Sequence, residues 1–352
     1  MRLADRIAQC RTPFLVENTK DGAVTQLSGA AAFSKEIAEC ATRYVLSDEL
    51  ARLCTALAYS KGASTLACAD LLHVPTERVW VEWADAPWRN ELALYGFKGP
   101  ADSARSGRGG VFIQSTPQGR QGVLRTFWAD GGESETTVLA SNMEAYFDFD
   151  TQEGEEPEVF DQQERSSICV SDETLGDADI LRRCFRFRYE RSWQDYYAKA
   201  QLTSDQATAV AHHSLGTIAI GISVLLAFFL LLVTRPGLPR RPLMLERLNR
   251  ARAKSGKAAL LEQMEVFAPL LPEYKAACGS GSGTPQRSRR LHHVRGHLVR
   301  RGSKLFWRVP HLRGSARAGV IRTRTVTWHF DPSSSSSRIA TTHSEPSTAQ
   351  IS

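Results

Sequence analysis

The amino-acid sequence predicts an α+β protein with N-terminal helices, a central antiparallel sheet, one very apolar helix and a basic, β-rich C-terminal region. Three observations carry this. Apolar residues recur at near-helical spacing up to about residue 75, and short β-branched and aromatic runs follow. Helices and strands come in blocks instead of alternating, which argues against a βαβ fold.

Residues 1–75 read as a helical N-terminal part. Within 33–73, Ile37, Ala41, Tyr44 and Val45 lie at near-helical spacing, and Leu50, Leu53, Cys54 and Leu57 follow a Ser47-Asp48-Glu49 start. Residues 76–150 read as an antiparallel β meander. Its strands are Val79–Trp83, Val111–Gln114, Gly122–Trp128 and Ala145–Phe149, with turns at Thr116–Gly119 and Asp130–Gly132, where glycine tolerates positive φ. Residues 151–190 read as an acidic loop region. The stretch 144–179 holds 13 acids against the single base Arg165, at no spacing that fits a calcium loop or a two-metal site.

A helical part, 191–277, resumes near Trp193 and breaks around Thr203-Ser204-Asp205. It contains Leu215–Val233, 19 residues without a charge, and then a basic segment, Leu245–Leu261, whose short helix Gly256 is suited to end. A flexible linker at 278–286, a basic β-rich region at 287–331 and a disordered Ser/Thr-rich tail at 332–352 complete the chain.

Leu215–Val233 supports two readings. As a helix it would be about 28 Å long, close to the ~30 Å hydrocarbon thickness of a bilayer. Arg235, Arg240, Arg241 and Arg247 follow it, so a single inner-membrane pass would leave the C-terminus in the cytoplasm. That orientation exports the acidic front of the chain, although Met1–Ile7 carries charges where a signal peptide needs an apolar stretch. The preferred reading is a core helix, apolar on every side because other elements surround it.

At 352 residues and 42% hydrophobic content the chain can bury a core without disulfides or metal, and its composition excludes fibrous and wholly disordered classes. The net charge of +6 hides a division: residues 1–213 carry 22 Lys and Arg against 32 Asp and Glu, residues 214–352 carry 22 against 6. A rear this basic suits nucleic acid or anionic lipid, or attraction to the chain's own acidic front. The seven cysteines, Cys10, Cys40, Cys54, Cys68, Cys169, Cys184 and Cys278, form no CxxC pair, which is reduced, cytosolic usage. Cys40, Cys54 and Cys68 fall in apolar patterns that suit buried thiols.

The basic block from Arg287 to Arg324 holds 12 Lys and Arg and no acid. Three strands fit it. In the first, His293, Arg295 and His297 alternate with Val294, Gly296 and Leu298 and so share a face. The second is Leu305–Val309, reached through a turn at Arg301-Gly302-Ser303, and the third is Ile321–Phe330. Arginines interleaved with Phe306, Trp307 and Trp328 suit single-stranded RNA or DNA, phosphates pairing with the cations and bases stacking on the rings. His293, His297 and His311 are weak metal candidates, since no fourth ligand stands at a recognisable spacing. The third reading pairs these arginines with the acidic 144–179 stretch inside one sheet, the aromatics serving as core.

No GxSxG, P-loop, HExxH or strand-following GxGxxG motif is present, and Gly107-Arg108-Gly109-Gly110 leads into a strand. The expectation is therefore a non-enzymatic protein with no cofactor.

One further pattern lies in the C-terminal third. Leu248-Asn249-x-Ala251-Arg252, Gly256, Leu260-Leu261, His292 to Arg301, Leu305-Phe306-Trp307-Arg308-x-Pro310-His311-x-Arg313-Gly314 and Ile321-Arg322-x-Arg324-Thr325-Val326-Thr327 resemble a family of uncharacterised phage and prophage proteins. The chain is similar, more distantly, to a type V anti-CRISPR group that lowers production of the CRISPR nuclease by recognising its nascent N-terminal polypeptide and promoting loss of the message. Ala258-Ala259 stands where that pattern has a proline pair. The resemblance implies a phage-borne counter-defence or regulatory protein in the host cytoplasm, with a host protein or ribonucleoprotein as partner and RNA as a further one. The expected contact surface is Arg295, His297, Arg308, His311, Arg313, Arg322 and Arg324. The alternatives are a single-pass inner-membrane protein and a metal-dependent nuclease using the histidines.

Overall fold

The computed structural model describes residues 1–11, 15–18, 24–59, 66–94, 107–129, 138–151, 178–200, 204–234, 237–269, 290–294, 297–302, 304–308, 311–313 and 315–320. The chain forms two compact units, Met1–Tyr274 with Gly296–Val309, and Lys275–Arg295 with Pro310–Ser352.

In chain order the first unit runs through helix α1 (Leu3–Gln9), strands β1 (Leu15–Asn18) and β2 (Val24–Ser28), a 3₁₀ turn (Ala30–Phe33), α2 (Ser34–Glu39), β3 (Thr42–Leu46), α3 (Asp48–Tyr59), a second 3₁₀ turn (Leu66–Leu71), β4 (Arg78–Ala84) and α4 (Asp85–Ala93). It continues through β5 (Arg108–Ser115), β6 (Gln121–Ala129), β7 (Val138–Asp148), α5 (Ala178–Cys184), β8 (Phe185–Tyr189), α6 (Arg191–Ala200), α7 (Ser204–Leu232), β9 (Arg240–Pro242), α8 (Glu246–Lys254) and β10 (Met264–Val266). Of the remaining strands, β11 (Arg290–Val294), β14 (His311–Arg313) and β15 (Ser315–Val320) belong to the second unit, while β12 (His297–Arg301) and β13 (Lys304–Arg308) return to the first.

An eight-stranded sheet in the order β8-β7-β6-β5-β4-β3-β10-β9 organises the first unit. The meander β4 to β8 is antiparallel, as the short β-branched and aromatic runs between turn residues predict. The reversal from β5 to β6 turns at Gly119, whose φ of 68° is a conformation glycine adopts freely. The sheet as a whole is mixed, which corrects the purely antiparallel expectation, because β3 runs parallel to both β4 and β10. Residues 42–46 were expected to be helical. They form an interior strand buried from Arg43 to Leu46, and a strand covered on both faces shows no polar alternation to mark it. The following helix starts as predicted: the Leu50 amide donates to Ser47 Oγ at 3.2 Å, a side-chain cap worth about 1 kcal/mol.

Two further boundaries differ. The region 151–190 holds α5 and the edge strand β8, whose Phe185 and Phe187 are buried on one side while Arg186 and Arg188 alternate with them. Among its described residues the region 191–277 adds to the helices α6, α7 and α8 the strands β9 and β10, three residues each, which exist only through pairing with each other and with β3.

The sheet separates two cores. On one side Trp80, Phe112, Phe127 and Ala140 meet Leu3, Ala4 and Ile7 of α1 and Ile37 of α2. The α1 start is anchored by Glu82, fully buried on β4. Its carboxylate accepts hydrogen bonds from the Ala4 amide (3.0 Å), Trp80 Nε1 (3.0 Å) and Arg108 Nε (2.9 Å), so the buried charge is paired and fully engaged. On the other side Val81, Ile113, Leu124, Ala145 and Phe187 meet α3 and α7.

Leu215–Val233 lies in this second core, as the core-helix reading expects. Every residue from Gly221 to Leu231 is buried; since successive residues step round a helix by about 100°, α7 is covered on all sides. It packs against α3 and β7; Tyr59 Oη donates to the Ile220 carbonyl at 3.4 Å, and Tyr44 meets Phe228 edge to face. Among the described residues no helix is long and apolar enough to cross a membrane. The five described cysteines, Cys10, Cys40, Cys54, Cys68 and Cys184, are buried, and burial pushes the Cys184 thiol up to about 11.

Candidate nucleic-acid interface

The basic C-terminal block divides between the two units. The expected single strand carrying His293, Arg295 and His297 is two strands: β11 ends at Val294 and pairs with β14 and β15, whereas β12 begins at His297 and pairs with β13. Arg295 and Gly296, between the two strands, lie outside the described residues. In the second unit His293 stands opposite Leu312 and His311 opposite Val294, with Arg313 opposite His292. Arg295, Arg322 and Arg324, the strand expected at 321–330, the linker and the tail lie outside the described residues, as do most of the acidic stretch and the turn at 130–132.

The hairpin β12–β13 carries the described side chains of the block. Five cross-strand pairs fix its register: His297 with Arg308, Leu298 with Trp307, Val299 with Phe306, Arg300 with Leu305, and Arg301 with Lys304. Gly302, at φ 59°, turns the chain between them where the sequence expects a turn. Directly opposed residues share a face, so Leu298, Arg300, Leu305 and Trp307 point one way and His297, Val299, Arg301, Lys304, Phe306 and Arg308 the other.

The first face is the anchor. Leu305 is buried in the α7-side core, with Leu298 and Trp307 packed against it. Arg300 grips Asp70 through two bonds, Nη1 to Oδ1 at 2.8 Å and Nη2 to Oδ2 at 2.5 Å, and this carboxylate holds the guanidinium above its ordinary range. The second face points outward. Arg301, Lys304 and Arg308 are exposed, Phe306 and Val299 are half-buried between them, and His297 stands beside Arg308. At about 3.3 Å per residue the face is about 13 Å long.

Sequence reasoning placed His297 and Arg308 in the contact set, and the structure makes them cross-strand neighbours. It missed Arg301 and Lys304. The period-two spacing of Lys304, Phe306 and Arg308 was the available signal. Phe306 and Trp307, named together as stacking rings, face opposite ways: Phe306 outward, Trp307 to the core.

The acidic partners expected for the block are otherwise engaged where they are described. Glu144 on β7 receives Arg125 Nε (2.6 Å), Arg188 Nε (3.4 Å) and Tyr146 Oη (2.9 Å), and Asp150 receives Arg120. Among the described residues Arg301, Lys304 and Arg308 make no ion pair, and no group of three or more His, Cys, Asp or Glu side chains could hold a metal ion. Compared with known protein families, curated proteins and solved structures, the chain matches none.

Proposed function

We propose that the chain is a non-enzymatic RNA-contacting protein that works through the outward face of the β12–β13 hairpin. The observation that carries this is the arrangement of Arg301, Lys304 and Arg308, exposed and without ion-pair partners among the described residues, around the ring of Phe306. Cations without carboxylate partners are free to neutralise phosphates, and an aromatic ring among them offers a stacking surface to an unpaired base. The inward face, held by Leu305 and the Arg300–Asp70 pair, fixes which side is presented. The resemblance of the C-terminal third extends the proposal to a phage-borne counter-defence or regulatory role in the host cytoplasm, on a ribonucleoprotein or a host protein with its message.

The test is titration of a fluorescein-labelled, mixed-sequence single-stranded RNA by anisotropy at 50 and 200 mM salt. Three phosphate contacts contribute a slope of about −2 in log K against log salt, or roughly a 20-fold loss over this range. Replacing Arg301, Lys304 and Arg308 by Gln removes that contribution, and Phe306→Ala costs about 1–3 kcal/mol. Affinity that ignores salt, or a Phe306→Ala protein that binds unchanged, refutes the proposal.

A further inference from the structure

Between the paired strands β9 and β10 the chain leaves the sheet edge and returns, carrying α8 at residues 246–254. This helix buries none of its residues, so it adds nothing to either core. It is nevertheless held in place. Asn249 clamps the returning chain twice, its Nδ2 donating to the Leu260 carbonyl at 3.0 Å and its Oδ1 accepting from the Leu260 amide at 2.8 Å; Arg252 Nε donates to the Ala258 carbonyl at 2.7 Å. Gly256, at φ 65°, ends the helix so that the chain can turn back to these contacts.

The clamp occupies one side only. With 100° per residue, Arg247, Arg250 and Lys254 fall within about 60° of one another, and Asn249 lies close to the opposite side. All three cations are exposed and, among the described residues, make no hydrogen bond or ion pair through their side chains. They span about 10 Å along the axis. Leu248, 48% exposed, stands about 100° from Arg247, outside this arc.

We infer that α8 is a second phosphate-contact element, whose Arg247–Arg250–Lys254 face pairs with the backbone of single-stranded RNA. Charge complementarity selects this occupant, since three cations on one side of a clamped helix, with Glu246 about 40° beyond Arg250 as its one acid, match a row of phosphates and contribute without regard to sequence. The inference rests on the RNA reading of the hairpin, but different residues carry it and it fails separately.

The experiment uses the full chain with Arg247, Arg250 and Lys254 replaced by Gln, the hairpin intact, and the same labelled RNA across 50 to 200 mM salt. The expected result is a slope shallower by about 2, so that the variant loses roughly 20-fold less affinity than wild type over that range. Because no core contact is removed, the thermal melt stays at the wild-type midpoint. A wild-type slope in this variant overturns the α8 inference while leaving the hairpin reading standing. No RNA binding by the wild type overturns both. Binding of polyglutamate that the three substitutions abolish, with RNA affinity unchanged, assigns the face to an acidic polypeptide and overturns the inference.

Discussion

Truncating Phe228 to Ala tests whether α7 is enclosed by its own chain. The side chain is fully buried, meets Tyr44 edge to face at 5.5 Å between ring centroids and lies 5.8 Å from the Phe229 ring. Removing a buried Phe costs about 3–5 kcal/mol, the lost transfer energy plus the cavity left behind. Part of that loss belongs to the Tyr44 contact. A double-mutant cycle with Tyr44→Ala should therefore return a coupling of about 0.5–1.5 kcal/mol. Ile7 sits in the core on the opposite side of the sheet, so the Phe228→Ala and Ile7→Ala costs should add to within about 0.5 kcal/mol. Urea unfolding followed by tryptophan fluorescence and by circular dichroism supplies the free energies, with coincident transitions as the check on a single cooperative step. A Phe228→Ala cost below about 1 kcal/mol, or no coupling to Tyr44, would mean that α7 is not packed here and would refute the enclosed-helix account.

Two more predictions concern the frame that presents the candidate interface. Gly119 and Gly256 both have positive φ, but a Cβ at Gly119 would stand 2.1 Å from the Val74 carbonyl oxygen, whereas one at Gly256 meets open space. Gly256→Ala should cost only the left-handed backbone penalty of about 1–2 kcal/mol, and Gly119→Ala clearly more; equal losses in thermal melts would show that the Gly119 turn is looser than described. The Asp5 carboxyl is buried, and desolvation raises it above the usual range even though its Oδ1 accepts from the Leu261 amide at 2.7 Å. Folded protein then keeps this proton to higher pH than unfolded chain, so the contribution is present at low pH and is lost as pH rises from the usual carboxylate range through the raised value. Stability measured between pH 3.5 and 7 should fall less steeply for Asp5→Asn than for wild type, and identical slopes would contradict the assignment.

How much of this was legible in the sequence follows from what kind of signal each element leaves. The meander strands are short β-branched and aromatic runs bounded by turn residues, and Gly119, Gly256 and Gly302 each sit where local chemistry asks for positive φ. Those elements could be placed without the rest of the molecule. The β3 strand could not, because Arg43, Tyr44, Val45 and Leu46 are all buried and only the parallel neighbours β4 and β10 distinguish such a run from a helix. The same holds for β9 and β10, three residues each, which have no identity apart from their pairing.

The candidate interface shows the same division. Composition alone established a basic rear without acids around residues 287–324, and the period-two spacing of Lys304, Phe306 and Arg308 was present in the sequence although the contact set drawn from it left Lys304 out. Which of the two hairpin faces meets water was decided by Leu305 and Trp307 docking on the core and by Arg300 reaching Asp70. The apolarity of Leu215–Val233 was likewise plain in the sequence, but an uncharged helix fits equally well inside lipid or inside protein; α3, β7 and Tyr44 supply the surrounding here. Periodicity fixes which residues point the same way. Only packing against distant parts of the chain fixes what they point at, since burial is a relation between segments and is not a property of one.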